Sequence, residues 1–298
     1  RGIPLNKLIE CVSVINTGAK YDNEAFQYSV GLNGVGTKAV NALSSYFEIT
    51  SWREGEYMHA VFERGVLKQK EKGKGEEPNG TFVSFIPDDD PAIFGKYTYN
   101  EDYIKERLWN YAYLNKGLTI TFNGKTIRSP GGLMDLVKKI LGDDGLYPLI
   151  NYKSKNLEFS FTHTNGYGES YHSYVNGQYT SDGGTHEAAF KEGVLKGINE
   201  FFHKSWAAPE IRDGIVATVA IKVMNPVFES QTKNKLGNTD VRTWIVPEVK
   251  AAVIDCLMKN KKKKKGLEDK ILSNEKVHKE EAAVRNGAKE KAKRVAIN

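Results

Sequence analysis

The sequence predicts an α+β chain of two domains. Three observations carry this reading. The length of 298 residues exceeds what one compact domain generally uses. The strand patterns follow one another as hairpins. The helical patterns stand apart from them and do not alternate strand by helix as βαβ units do.

Each element follows from local pattern. Leu5, Leu8, Ile9, Val12 and Ile15 recur at helical spacing. A polar loop, Gly18-Ala19-Lys20-Tyr21-Asp22-Asn23, comes next. The glycine-bearing stretch Gly31-Leu32-Asn33-Gly34-Val35-Gly36 leads into a short helix over 37–45. Strands at 46–52 and 57–63 form a hairpin through Glu54-Gly55. Residues 68–79 read as a charged loop, and 81–87 as a further strand.

A helix over 101–115 carries the stripe Ile104, Leu108, Tyr111 and Leu114 and ends towards Gly117. Strands at 118–122 and 125–128 flank Asn123-Gly124, the strongest short hairpin signal. A helix over 130–141 stops at Gly142, and the domain boundary falls in 142–152.

The second half opens with strands at 157–163 and 170–175. A long helix capped by Thr185 carries Phe190, Val194, Ile198 and Phe201. A β-branched strand over 215–224 is stopped by Pro226, which cannot donate to a ladder. A polar loop over 227–239 holds Gln231-Thr232-Lys233. A helix over 246–258 places Pro247 in its first turn, and a charged helix spans 266–295. The segments are thus 1–141, 142–260 and 261–298.

Bulk properties exclude several classes. No apolar run approaches the ~20 residues that span a bilayer, so no membrane partner is expected. Arg1-Gly2-Ile3-Pro4 lacks a signal-peptide pattern and reads as the middle of a motif, so the chain is expected to begin inside a larger protein. Cys11 and Cys256 read as two buried thiols of a reducing cytosol in preference to a structural disulfide. No CxxC or HExxH spacing suggests zinc. Net charge is +6, and residues 261–298 hold thirteen Lys/Arg against six Asp/Glu. That basic segment suits either solvent or nucleic acid.

The glycine stretch is the most informative local feature. Gly31, Gly34 and Gly36 free the backbone to approach a polyphosphate, and the following helix aims its N-terminus there. Two known phosphate motifs nearly match. The P-loop spacing is met by Gly31 and Gly36, but Thr37-Lys38 reverses the Lys-Ser/Thr order. The dinucleotide pattern is met by Gly34, Gly36 and Ala39, but a hairpin follows where a βαβ unit belongs. Lys233, beside Gln231, offers a point charge for a terminal phosphate, with an amide donor next to it. Lys235 adds a second charge. His186 reads as structural. Gly80-Thr81 at a strand start says little alone.

These residues resemble one family in order and spacing. RGIP at 1–4, GAKYDNEAF at 18–26, GLNGVGTKAVNALS at 31–44 and GTFVSFIPD at 80–88 resemble motifs of the ATPase domain in B subunits of DNA gyrase and bacterial topoisomerase IV. SYVNGQYTSDGGTH at 173–186, RDG at 212–214 and QTKNKLGN at 231–238 resemble its transducer domain. Asn33 and the GTKAVNALS continuation lean towards topoisomerase IV.

The resemblance implies a partial Bergerat (GHKL) α/β sandwich over 1–141, and a transducer domain with a left-handed β-α-β crossover over 142–260. A linker helix over 261–298 would lead towards the DNA-cleavage core. It implies that Gly31, Leu32, Asn33, Gly34, Val35 and Gly36 form a lid around the phosphates of ATP, with Lys20 near them. Ile3 and Pro4 belong to a further nucleotide-binding motif, and Thr81 would take part in adenine recognition. Gln231 and Lys233 would reach the γ-phosphate from the transducer, as the residues closest to catalysis.

ATP and Mg²⁺ are the implied cofactors. The implied partners are double-stranded DNA, a second copy of the same subunit on ATP binding, and an A subunit carrying the cleavage tyrosine. The implied location is the cytoplasm, at the nucleoid. The family's general-base Glu, Mg²⁺-binding Asn and adenine-binding Asp would precede residue 1, so weak hydrolysis by this chain alone is expected.

Two departures stand out. Val30-Gly31-Leu32-Asn33 replaces the family's frequent Gly-Gly-Leu-His, and Phe26 lacks the hydroxyl of the Tyr found in many relatives. Competing readings are another ATPase of this fold, such as a MutL-type repair protein, and a non-enzymatic DNA-binding module that ignores ATP.

Overall fold

A computed structural model describes residues 4–17, 28 and 34–296 of the chain. It divides into two compact units, residues 1–101 and 102–298.

In the first unit, a 3₁₀ turn (Leu5–Lys7) runs into α1 (Leu8–Ser13), and α2 (Gly36–Ala42) precedes a four-stranded antiparallel sheet. The strands are β1 (Ser44–Arg53), β2 (Glu56–Glu63), β3 (Val66–Lys74) and β4 (Gly80–Pro87), ordered β3-β2-β1-β4. Alternation sets the buried face: Phe47 and Ile49 of β1 pair with Phe62 and Ala60 of β2, and Leu8 and Val12 of α1 cover them. The Phe47 and Phe62 rings meet edge to face at 6.0 Å. Asn41 ties α2 to α1 through a 2.9 Å bond to the Val12 carbonyl.

The segment expected as a charged loop over 68–79 is largely β3, paired along β2 from Val66 to Lys74. Side-chain alternation could not reveal it, because almost every β3 residue is exposed. The strand exists through its backbone ladder, and its lysines blunt an edge. At the other edge, Asp88 closes β4 by accepting from Arg64, with contacts at 2.5 and 3.2 Å.

The second unit is built on a five-stranded sheet of β7 (Ile150–Lys153), β8 (Leu157–His163), β9 (Ser170–Val175), β10 (Gln178–Tyr179) and β11 (Ile215–Ile221), ordered β10-β9-β11-β8-β7. β11 lies antiparallel to β8 and parallel to β9. The β9-to-β11 connection runs through α5 (Thr185–Phe202) and α6 (Ala208–Arg212). Alternating residues of β11 feed opposite layers. Ile215, Ala217, Val219 and Ile221 pack with α5 and α7 (Val241–Lys259), while Val216 packs with Val137 and Leu141 of α4 (Leu133–Leu141). α3 (Glu101–Leu114) joins the α4 side, where Tyr113 meets Leu133, Leu136 and Tyr174.

That packing explains why the compact units divide at 101/102 while sequence patterning places a boundary at 142. The apolar face of α4 has its partner in the second sheet. The hairpin of β5 (Ile120–Phe122) and β6 (Lys125–Ile127) turns at Asn123 and Gly124, with φ of 47° and 74°.

Three helix starts differ from expectation. α4 begins at Leu133, after Pro130, because the Asp135 carboxylate accepts from Gly131 N at 2.7 Å and Ser129 Oγ at 2.8 Å and folds that segment into a turn. α7 begins at Val241, which puts Pro247 inside the helix. An interior proline costs about 3 kcal/mol. Burial of Val241, Ile245 and Val249 offsets it at about 1.5–3 kcal/mol each. α8 (Lys261–Ala296) begins at the lysine run, since Asn260 Oδ1 accepts from the Lys262 and Lys263 amides at 3.1 Å each. Leu267 and Ile271 seat its first half in the core. No helix among the described residues is long and apolar enough to cross a membrane. Cys11 and Cys256 are free as expected, but half-buried where full burial was expected.

Candidate functional site

The expected nucleotide-binding residues fall in both units. Ile3, Lys20, Gly31, Leu32 and Asn33 lie outside the described residues. Pro4 precedes the 3₁₀ turn, and its carbonyl accepts from Lys7 N at 2.9 Å. Gly34, Val35 and Gly36 lead directly into α2, whose N-cap is Val35 without a side-chain capping bond. The first helical amides at this end therefore have no partner within the helix.

Gly34 has φ of +55°, and a Cβ there would sit 2.6 Å from the Thr17 carbonyl oxygen. Only glycine fits that approach without displacing Thr17. The same carbonyl accepts from Lys38 Nζ at 2.7 Å, and Lys38 is buried. Lys38 is thus committed to holding the chain and does not project to a phosphate as a P-loop lysine does. The antiparallel β1–β2 hairpin that follows likewise sets aside the dinucleotide reading.

Thr81 lies on β4 opposite Ser51, with their hydroxyls 3.5 Å apart. It therefore stands at the far end of β1 from Ser44, the first residue of that strand. The pattern Gly80–Asp88 has a clear structural role here: β4 pairs with β1 throughout, and Asp88 anchors Arg64. The Arg64 guanidinium holds the Asp88 carboxyl below its usual range, helped by the Asp90 amide.

In the second unit, the segment expected as a polar loop is a small hairpin. Gly237 N donates to Val227 O at 2.8 Å, and Glu229 N donates to Lys235 O at 3.1 Å. Asn238 Oδ1 accepts from Val227 N at 2.6 Å and closes the base. Residues 230–234 form the tip. Ser230 and Thr232 hydroxyls lie 2.6 Å apart, and Lys233 takes a left-handed conformation at φ 60°. Gln231 is exposed and Lys233 half-exposed. Lys235 pairs with Glu229 at 2.9 Å, whereas no acidic side chain among the described residues pairs with Lys233. The structure brings Gln231 and Lys233 together on one tip, and the latter's charge has no acidic partner among the described residues.

Pattern reading missed what holds this tip. Leu236 is fully buried in the main core, and its backbone bridges Gly184 in parallel register. Leu236 N donates to Gly183 O at 3.2 Å, and Thr185 N donates to Leu236 O at 3.0 Å. Asp182 N adds a bond to Asn234 O at 3.0 Å. Thr185 itself is not a capping side chain: Gly184 is the N-cap of α5, and Thr185 Oγ1 has no partner among the described residues. The signal in the sequence was the Gly183-Gly184 pair, which no helix-start rule distinguishes from a cap.

His186 is structural as expected. It is fully buried, lies 3.2 Å from Thr180 Oγ1, and burial lowers its pKa to about 3. Among the described residues no three His, Cys, Asp or Glu side chains cluster as a metal site.

Comparison with known proteins identifies the family. The family model of DNA gyrase B matches residues 112–287. The B subunit of DNA topoisomerase 4 from Borreliella burgdorferi is 50% identical over 298 residues, covering 100% of this chain and 49% of that protein. The B subunit of DNA gyrase from Thermotoga maritima is 33% identical, covering 92% of this chain and 48% of that protein. The chain thus spans about half the length of these relatives. The 43K ATPase domain of Thermus thermophilus gyrase B, solved with an aminocoumarin, superposes with a TM-score of 0.70 at 29% identity over 85% of this chain and 74% of that one. With a family match over more than half of its residues, the chain belongs to the DNA gyrase B family, among the B subunits of type II DNA topoisomerases.

Proposed function

We propose that this chain is the ATP-responsive part of a type II DNA topoisomerase B subunit, coupling nucleotide state to DNA strand passage. The observation that carries the reading is the hairpin tip at 230–234. Its Lys233 ammonium has no acidic partner among the described residues, beside an exposed Gln231, on a loop held by backbone bonds at its base. A preorganised cation with an amide donor beside it suits a terminal phosphate, and loss of that phosphate removes the contact.

The glycine stretch 31–36 would wrap the polyphosphate, with Lys20 near it and Thr81 at the adenine. Mg²⁺ would accompany the nucleotide and neutralise part of its charge. ATP binding would join two such subunits, with an A subunit supplying the cleavage tyrosine and double-stranded DNA as substrate. Residues up to 141 would take the ATPase role, 142–260 the transducer role, and the α8 region the role of linker. The site of action would be the cytoplasm, at the nucleoid.

Affinity for a non-hydrolysable ATP analogue tests this, in the chain and in a subunit of the relatives' full length that carries this sequence. Lys233→Ala and Gln231→Ala are the informative variants, since any side chain at Gly34 would itself displace Thr17. Each is expected to weaken binding by about tenfold to a hundredfold, as loss of a charge-assisted bond does. Unchanged affinity in both variants would remove the tip from the nucleotide site.

A further inference from the structure

We propose that Gly184 is a positioning residue for the phosphate-directed tip. It lets Leu236 cap helix α5 with a backbone carbonyl, so that the tip and the helix move as one body. The proposal deepens the nucleotide reading of Gln231 and Lys233 and rests on it for its functional part.

The first amides of a helix lack partners inside the helix and usually find a side-chain oxygen. α5 has no such side chain at its N-cap, which is Gly184. The oxygen that serves its first amide is the Leu236 carbonyl, 3.0 Å from Thr185 N. Leu236 N returns a bond to Gly183 O at 3.2 Å, so one residue of the hairpin arm is clasped on both of its backbone groups.

The closeness of this clasp excludes any side chain at position 184. A Cβ there would lie 2.5 Å from both Leu236 N and Leu236 O, and the φ of +134° is itself one that other residues rarely adopt. The atoms in the way are backbone and cannot rotate aside. The Leu236 side chain is fully buried in the main core, so the arm cannot simply retreat. From Leu236 the chain reaches Lys233 in three residues, and Asp182 N holds Asn234 O between them at 3.0 Å.

On the other side of the clasp, α5 is locked to α7. Cβ atoms at Gly193 and Gly197 would sit 2.7 Å from Val249 Cβ and 3.0 Å from Lys250 O. The two helices therefore lie too close for independent sliding. A displacement of the tip is transmitted through Leu236 to α5 and on to α7, which leads into α8 at Asn260.

Hydrogen–deuterium exchange on the 298-residue chain tests the clasp, with Gly184→Ala and Thr185→Pro as variants. Thr185 is the first residue of α5, where proline suits the helix and puts its ring carbon in place of the amide hydrogen that Leu236 O accepts. Both variants should keep native far-ultraviolet dichroism. Both should lose protection in the peptide spanning 230–240 by about tenfold or more, the effect of freeing a hydrogen-bonded segment.

Thr185→Ser keeps the amide and should match the wild type. In the full-length subunit, Gly184→Ala should weaken binding of the ATP analogue in the same direction as Lys233→Ala. Wild-type protection at 230–240 in a folded Thr185→Pro chain would overturn the clasp. A freed tip with unaltered analogue affinity, where Lys233→Ala does lower it, would overturn the positioning role. If Lys233→Ala has no effect, the nucleotide reading of the tip fails, while the exchange result still decides the clasp.

Discussion

Gly193 of α5 faces Val249 of α7 so closely that a Cβ on the glycine would lie 2.7 Å from the valine Cβ. Gly193→Ala would gain about 1 kcal/mol of helix propensity and lose about 1–3 kcal/mol to overpacking. A net loss is expected, because the obstructing atom is a β-carbon and cannot swing away. Urea unfolding of Gly193→Ala, Val249→Gly and the double variant measures it, since only glycine at 249 removes the obstructing β-carbon. The double variant should recover part of the loss, with a coupling of about 0.5–3 kcal/mol for residues in contact. Simple additivity would mean that the helices have room to separate.

The buried His163 gives the second unit a pH dependence. Its Nε2–H donates to Ile211 O at 2.7 Å, and its Nδ1 accepts from the Tyr147 hydroxyl at 2.5 Å. Burial foremost, with Lys270 nearby, pushes its pKa from 6.5 to about 4, against the Ile211 bond and Asp213. The folded pKa is lowered, so the unfolded chain binds the extra proton first. Stability is complete above about pH 6.5 and falls as pH drops towards 4, by about 1.4 kcal/mol per pH unit for this group. His186 adds to the loss in the same direction. Urea midpoints between pH 7.5 and 4.5 should show the decline, and His163→Gln should make it shallower. An unchanged slope in that variant would assign the acid sensitivity elsewhere.

Asn274 fastens α8 to the α6–β11 turn, with its amide donating to Glu210 O at 3.0 Å and Asp213 O at 2.9 Å. Asn274→Leu leaves both carbonyls unpaired and should cost about 1–3 kcal/mol. Trp206, whose Nε1 donates to Glu275 Oε2 at 3.2 Å, reports the same contact by fluorescence. The variant should shift tryptophan emission at lower urea than the wild type. Cleavage within 261–296 by limited proteolysis should also quicken. Equal susceptibility would show that Leu267 and Ile271 alone hold the helix.

The lysine run 261–265 forms the first turns of α8, where Lys261, Lys262 and Lys265 are exposed. If this face meets DNA, affinity will fall with salt along a log–log slope of roughly 0.9 per neutralised phosphate. Replacing these three lysines by glutamate should flatten that slope by about 2–3. A slope identical to the wild type would place any DNA contact on another surface.

Much of this molecule was readable from pattern alone. The β1–β2 hairpin followed from alternation around Glu54-Gly55, and the β5–β6 hairpin from Asn123-Gly124, because both signals are local. Free thiols and the structural role of His186 were likewise legible. So was the family, since motifs such as QTKNKLGN depend on residue identity and order, which a linear string preserves in full.

Tertiary structure decided what depends on partners distant in sequence. Charged β3 is a strand only because β2 offers it a backbone ladder, and α4 joins the second unit only because Val216 awaits its apolar face. Lys38, set aside as a P-loop lysine on the order of Thr37-Lys38 alone, turns out to be spent on the Thr17 carbonyl twenty-one residues away. Thr185, a cap by type, contributes its amide while Leu236 supplies the oxygen. Sequence specifies which groups can donate, accept or bury. Only the folded chain determines which of them meet, because burial and hydrogen bonding act between atoms whose separation along the chain carries no record of their distance in space.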